Sequence, residues 1–247
     1  MMKICVRPLN VWAATFYQSR NAEKGLRMSR IATVICAAVA VAAGGYWMTA
    51  SNTTSVNPLV GSAIAQEADL DTSTIIEMVQ GAEDAPVEII EYASYTCPHC
   101  ATFHQGAYKQ LKKDFIDTGK VKFIYREVYF DRYGLWASMV ARCAGPEKFF
   151  GITDLIYQGQ SEWTRAGGPT EIVDELRKIG RLAGIDNDQL EACLQDGTRA
   201  QTLVAWYQEN AERDDVTGTP SFVVNGKKVS NQSYEDFKQL IEDELGS

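Results

Sequence analysis

The sequence has only two histidines, His99 and His104. It has no second C-x-x-C and no H-x-x-H. Structural zinc usually takes four ligands, often from two such knuckles, so Cys97, Cys100 and His104 alone fall short and no metal is expected. Basic residues are scarce after position 65: 18 Lys and Arg stand against 31 Asp and Glu in 66–247, a net −13. No basic patch with interleaved aromatics occurs. A field of that sign repels phosphates, which excludes nucleic acid as a partner. No internal repeat is present, which excludes a solenoid. Charge is absent altogether from Ile31 to Ala50, IATVICAAVAVAAGGYWMTA.

That uncharged run follows a basic flank. Residues 1–30 hold six Lys and Arg against one Glu, a net +5. A basic region of 1–30 and an apolar segment of 31–50 read as an export signal or a membrane anchor. The basic side stays in the cytoplasm, so the rest is expected in the periplasm. Ala63-Ile64-Ala65 offers a cleavage site, but farther from the apolar run than is usual. Both outcomes stay open: an inner-membrane anchor with a polar linker over 51–74, or release after cleavage. Met28 is an alternative start. Export matters for the six cysteines, because disulfides persist outside the cytoplasm. Cys5 and Cys36 belong to the targeting region, which leaves four in the exported domain.

That domain, 75–247, opens on a turn at Gly81 to Pro86. VEIIEY, Val87 to Tyr92, then reads as a strand. Phe103, Ala107, Leu111 and Phe115 recur every four residues, which predicts one amphipathic helix from Pro98 to about Asp117. Val121 to Phe130 predicts a second strand, parallel to the first. From about Tyr133 to Arg213 the chain reads as helices broken by glycine and proline, with Asp186 as a cap. Ser221 to Asn225, KKVS and a helix over Ser233 to Leu245 close it. The fold class is thus α/β, a strand-helix-strand half and a strand-strand-helix half with a helical insertion over about 133–213.

The chemistry centres on TCPHC, Thr96 to Cys100. Cys97 falls at the helix N-terminus, where free N–H groups and the dipole favour a thiolate. Pro98 suits the first helical position, and a protonated His99 would add a second positive group. Cys97 is therefore the expected nucleophile and Cys100 its shielded partner. Whatever stabilises the thiolate stabilises the reduced form, and a disulfide whose reduced form is favoured is an oxidant. A purely structural Cys97–Cys100 bridge would close too small a ring to stabilise much. TGTPSFVVNG places Pro220 directly before a strand, where proline often marks a tight turn.

CPHC after a strand, a large helical insertion, and Thr219-Pro220 before the last two strands together resemble the DsbA-like thiol:disulfide oxidoreductases of the thioredoxin superfamily, over about Ile75 to Leu245. The resemblance implies a thioredoxin fold with no cofactor, Cys97 as nucleophile, Cys100 as resolving thiol, and His99 as the thiolate's stabiliser. It implies a cis Pro220 against the CPHC loop, where the backbone of Thr219 pairs with substrate. It also implies cysteine-containing exported proteins as substrates and a membrane partner that reoxidises the enzyme. Thr219 departs from the oxidase pattern, which often has valine there, and looks more like the isomerase branch. The isomerases, however, usually carry a separate dimerisation domain that residues 51–80 are too few to build. Oxidase comes first, isomerase or reductase second, and a monomer is expected.

Weaker candidates remain. Glu91 shares a strand face with Val87 and Ile89, and could carry a proton to or from Cys100. Its alternative is a strand-end glutamate reaching solvent. Cys143 and Cys193 are expected to bridge, which would stabilise the insertion by ~3–4 kcal/mol in the chain-entropy view. His104 reads as an ordinary helix-surface residue. Tyr92, Tyr95, Phe103 and Trp136 could surround the site, although aromatics there are mostly core. Glu212 to Asp215 reads as a solvated face.

Overall fold

The structure, a computed structural model, describes residues 70–246. The apolar segment 31–50, most of the linker, Cys5 and Cys36 lie outside them. Among the described residues, no helix is long and apolar enough to cross a membrane.

Five strands form one mixed sheet: β1 (Met78–Gln80), β2 (Val87–Ala93), β3 (Val121–Glu127), β4 (Ser221–Val224) and β5 (Lys227–Ser230), in the order β1-β3-β2-β4-β5. β2 is central. It pairs in parallel with β3, from Val87↔Val121 to Ala93↔Glu127, and antiparallel with β4. A strand covered on both faces reads as a nearly continuous apolar run, which VEIIEYA is. Alternate residues then separate. Val87, Ile89 and Ala93 enter the main core, while Ile90 and Tyr92 enter a second cluster on the other face. The same alternation carries Glu91 to the main-core side.

β1 pairs antiparallel with β3 and was not predicted. Its three residues end at Gly81, whose φ is +92° and whose Cβ, if present, would sit 2.2 Å from Val121 O. Only glycine fits that turn.

The predicted single helix after β2 is three pieces: α1 (Pro98–Gln105), α2 (Ala107–Leu111) and a wide turn over Lys112–Ile116. Gly106 breaks it, with φ −119° and ψ −97°, its N–H still bonded to Thr102 O and Phe103 O. The wide turn places both Phe115 and Ile116 in the core, which the four-residue period did not foresee. β3 stops at Glu127, earlier than predicted. Val128 N still donates to Ala93 O at 2.8 Å, and then the chain leaves the sheet and Phe130 is exposed.

The insertion holds α3 (Arg132–Arg142), α4 (Pro146–Gln158), α5 (Gln160–Trp163), α6 (Pro169–Leu182), α7 (Asn187–Gln195) and α8 (Gly197–Arg213). Asp186 caps α7 by accepting from Gln189 N. Cys143, at the C-terminal end of α3, is bonded to Cys193 in α7, with Cα atoms 5.8 Å apart. Helix α9 (Tyr234–Leu245) closes the chain, capped by Ser233. One expected solvated face is partly wrong: Asp214 accepts from Arg126 at 3.1 Å and from the Tyr92 hydroxyl. Tyr92 therefore belongs to this second-face cluster rather than to the CPHC end.

Candidate active site

Cys97 is the N-cap of α1, and Pro98 follows at the first helical position. Both Cys97 and Cys100 carry free thiols. Cys97 is partly exposed and Cys100 fully buried. The Cys100 thiol donates to Cys97 sulfur, and this is the largest influence on it. Burial opposes it, and the Thr219 hydroxyl and the backbone N–H groups of Cys100 and His99 add to it. Together they lower Cys97 to about 5. His99 reaches the sulfur with its backbone N–H, and its imidazole is exposed. Burial, followed by Cys97 and the charge of Glu91, pushes Cys100 strongly upward. One sulfur is poised as a thiolate and the other holds its proton.

The Thr219–Pro220 peptide is cis. It brings Thr219 O to 3.4 Å from Cys97 Sγ, where it accepts from the thiol. The Thr219 hydroxyl has no other partner and can turn its proton to the sulfur once that ionises.

Two further residues hold the segment, and sequence reasoning missed both. Gln160 in α5 donates from Nε2 to Tyr95 O at 2.7 Å and to Cys97 O at 2.9 Å. Asp131, the N-cap of α3, accepts from Thr96 Oγ1 at 2.9 Å and from the N–H groups of Tyr133 and Gly134. The insertion therefore grips the residues just before Cys97. Neither residue sits in a motif, and Gln160 lies 63 positions from Cys97, so the sequence carries no sign of it.

Glu91 is fully buried, not a solvent-reaching strand end, and its Oε2 lies 2.8 Å from His104 Nε2. His104 is likewise buried, which corrects the surface reading. It falls on the same helical face as Cys100, one turn later, and that face is covered by Tyr108, Tyr125 and Tyr157. Tyr95 and Phe103 are core residues as well. Trp136 is half-buried and packs against the main core, which Cys97 also touches. Among the described residues no cluster of His, Cys, Asp or Glu could hold a metal ion.

A family model described as thioredoxin matches residues 73–243. A candidate protein-disulfide oxidoreductase of Rickettsia bellii is 32% identical over 194 residues, 76% of this chain and 74% of that protein. The chain spans 60–61% of several longer Rickettsia relatives. Disulfide bond formation protein D of Bacillus subtilis is 27% identical over 179 residues, 68% of this chain and 76% of that protein. Among solved structures, alpha-DsbA1 of Wolbachia pipientis is similar with a TM-score of 0.63 at 25% identity, over 69% of this chain and 91% of that one.

Proposed function

Since the chain belongs to the thioredoxin family and is a DsbA-like thiol:disulfide oxidoreductase, we propose that it works in the oxidising direction, donating the Cys97–Cys100 disulfide to exported proteins. The observation that carries this reading is the asymmetry of the two sulfurs, with Cys97 lowered to about 5 beside a buried Cys100. A substrate thiolate attacks Cys97, the S–S bond breaks, and Cys100 leaves with the electron pair. A second substrate thiolate then attacks the substrate sulfur of the mixed disulfide. Cys97 departs as the stabilised thiolate, and the two electrons that the substrate dithiol has lost remain on the reduced Cys97–Cys100 pair.

In this reading Pro98 starts the helix whose N–H groups face the nucleophile, and the backbone of Thr219 beside cis Pro220 receives the substrate peptide. His99 contributes its N–H, and Glu91 carries the proton of Cys100. A membrane partner that accepts the electrons restores the disulfide. Export would be directed by residues 31–50, with the domain in the periplasm either anchored or released. The disulfide between Cys143 and Cys193 is structural, tying α7 to the end of α3.

Equilibration of the Cys97–Cys100 pair against glutathione tests the direction. We expect a potential at the oxidising end of the family range, between about −180 and −120 mV. A value near about −270 mV, that of a reductant, would move the assignment to the isomerase or reductase reading, to which Thr219 already leans.

A further inference from the structure

Glu91 on β2 and His104 on α1 are 0% and 2% exposed. Glu91 Oε2 is held by His104 Nε2, while Glu91 Oε1 has no hydrogen-bond partner. The imidazole is clamped between rings: Tyr157 stacks on it at 4.4 Å and 21°, and Tyr108 lies at 4.6 Å and 40°. The ring of Tyr125 meets it edge-on at 5.6 Å. A ring so held fixes one carboxylate oxygen and leaves the other free. Cys100, one helical turn before His104, has no exposed surface from which solvent could protonate it. A lone buried carboxylate is costly, but a carboxyl and an imidazole that share one proton are neutral together.

Resting on the dithiol-exchange reading above, we propose that His104 is a positioning residue: it holds Glu91 as the proton carrier for Cys100, and the two share the one proton that Cys100 takes on opening and returns on closure.

On opening, a substrate thiolate bonds to Cys97 Sγ, the Cys97–Cys100 bond breaks, and its electron pair leaves on Cys100 Sγ. The Glu91–His104 pair gives its proton to that sulfur. The products are the substrate–Cys97 disulfide, a neutral Cys100 thiol and a pair with one negative charge. The charge that entered on the substrate sulfur thus ends on the pair, and closure reverses each transfer. The other titratable groups facing the pair are Cys100 of α1, Tyr108 of α2, Tyr125 of β3 and Tyr157 of α4. Burial, with neighbouring charge added, pushes all three phenols upward, so they keep their protons.

The test is the rate at which a reduced dithiol peptide opens the disulfide, read by rapid quench and thiol alkylation. Full-length wild type, His104→Gln, Glu91→Gln and the double variant are compared from about pH 4 to 9. Glu91→Gln should slow opening about a hundredfold and His104→Gln about tenfold, each with a flattened pH profile. The double variant should match Glu91→Gln, because a residue that acts through another then has nothing to act on. A His104→Gln rate and pH profile equal to wild type would overturn the inference, as would a His104 effect undiminished beside Glu91→Gln. Should His104→Gln not fold, wild type in heavy water decides: opening should slow at least about twofold, and no slowing overturns the proton transfer. A wild type that opens for no dithiol removes the exchange reading itself, and the inference with it.

Discussion

Replacing Cys97 with serine is expected to abolish disulfide exchange, while Cys100→Ser is expected to leave a protein that donates no disulfide and accumulates as a mixed disulfide with disulfide-bonded substrates. The two outcomes differ because the two sulfurs do. Cys97 is reachable and poised as a thiolate, whereas Cys100 is sealed beneath it with its proton held. A serine hydroxyl at 97 neither ionises near neutral pH nor bonds to a substrate sulfur. Serine at 100 keeps the attacking group but removes the thiol that would displace the substrate. A scrambled protein with mispaired disulfides serves as substrate, with mixed disulfides detected on a non-reducing gel. Exchange by Cys97→Ser comparable to wild type would mean that the thioredoxin shell acts by binding alone.

The largest effect on stability should come from Arg142→Met. Arg142 and Glu127 are both fully buried and paired twice at 2.6 Å, Nε to Oε1 and Nη2 to Oε2. Ser138 donates to the same carboxylate at 2.9 Å, and Arg142 Nη1 donates to Ile76 O at 2.8 Å. Its guanidinium also lies over the rings of Phe149 and Trp206. Burial by itself lowers the guanidinium's pKa, but the charge and hydrogen bonds of Glu127 outweigh it and push it above its ordinary value. The pair joins the end of β3 to α3, and so the sheet to the insertion. Removing the arginine strands a buried carboxylate, which typically costs about 3–5 kcal/mol. Replacing both residues with apolar ones, Glu127→Leu with Arg142→Met, should recover most of that loss. Urea denaturation of the two variants reads the difference. A single variant within about 0.5 kcal/mol of wild type would contradict the burial of the pair.

Local chemistry made much of this molecule legible in its sequence. The thiol pair at a helix start, the central strand and the proline before β4 each announce themselves within ten residues. Asp186 and Ser233 are caps, and capping is a local matter. What escaped depends on contacts between distant segments. β1 is three residues long, too short to show a period, and exists because β3 had a free edge. His104 looked like a surface residue because α1 alone does not reveal that Tyr157, 53 positions later, comes down upon it. Asp214 sat in a charged run, and only the fold brings Arg126 to it. Gln160 holds Cys97 O from the insertion, which no motif ties to the CPHC loop.

The central claim is that this fold prefers a thiolate at position 97. Its folded-state value lies below the ordinary one, so the stabilisation of the reduced form is complete above about pH 9 and is lost as pH falls through about 5. The disulfide form contains no such thiolate, so in exchange with glutathione, whose thiol stays protonated, the reduced form gains as pH rises across that window. Ultraviolet thiolate absorbance of the reduced protein against pH, with Cys97→Ser as the blank, measures this directly. The account predicts a midpoint near 5; a midpoint near about 8.5, that of an ordinary cysteine, would contradict it.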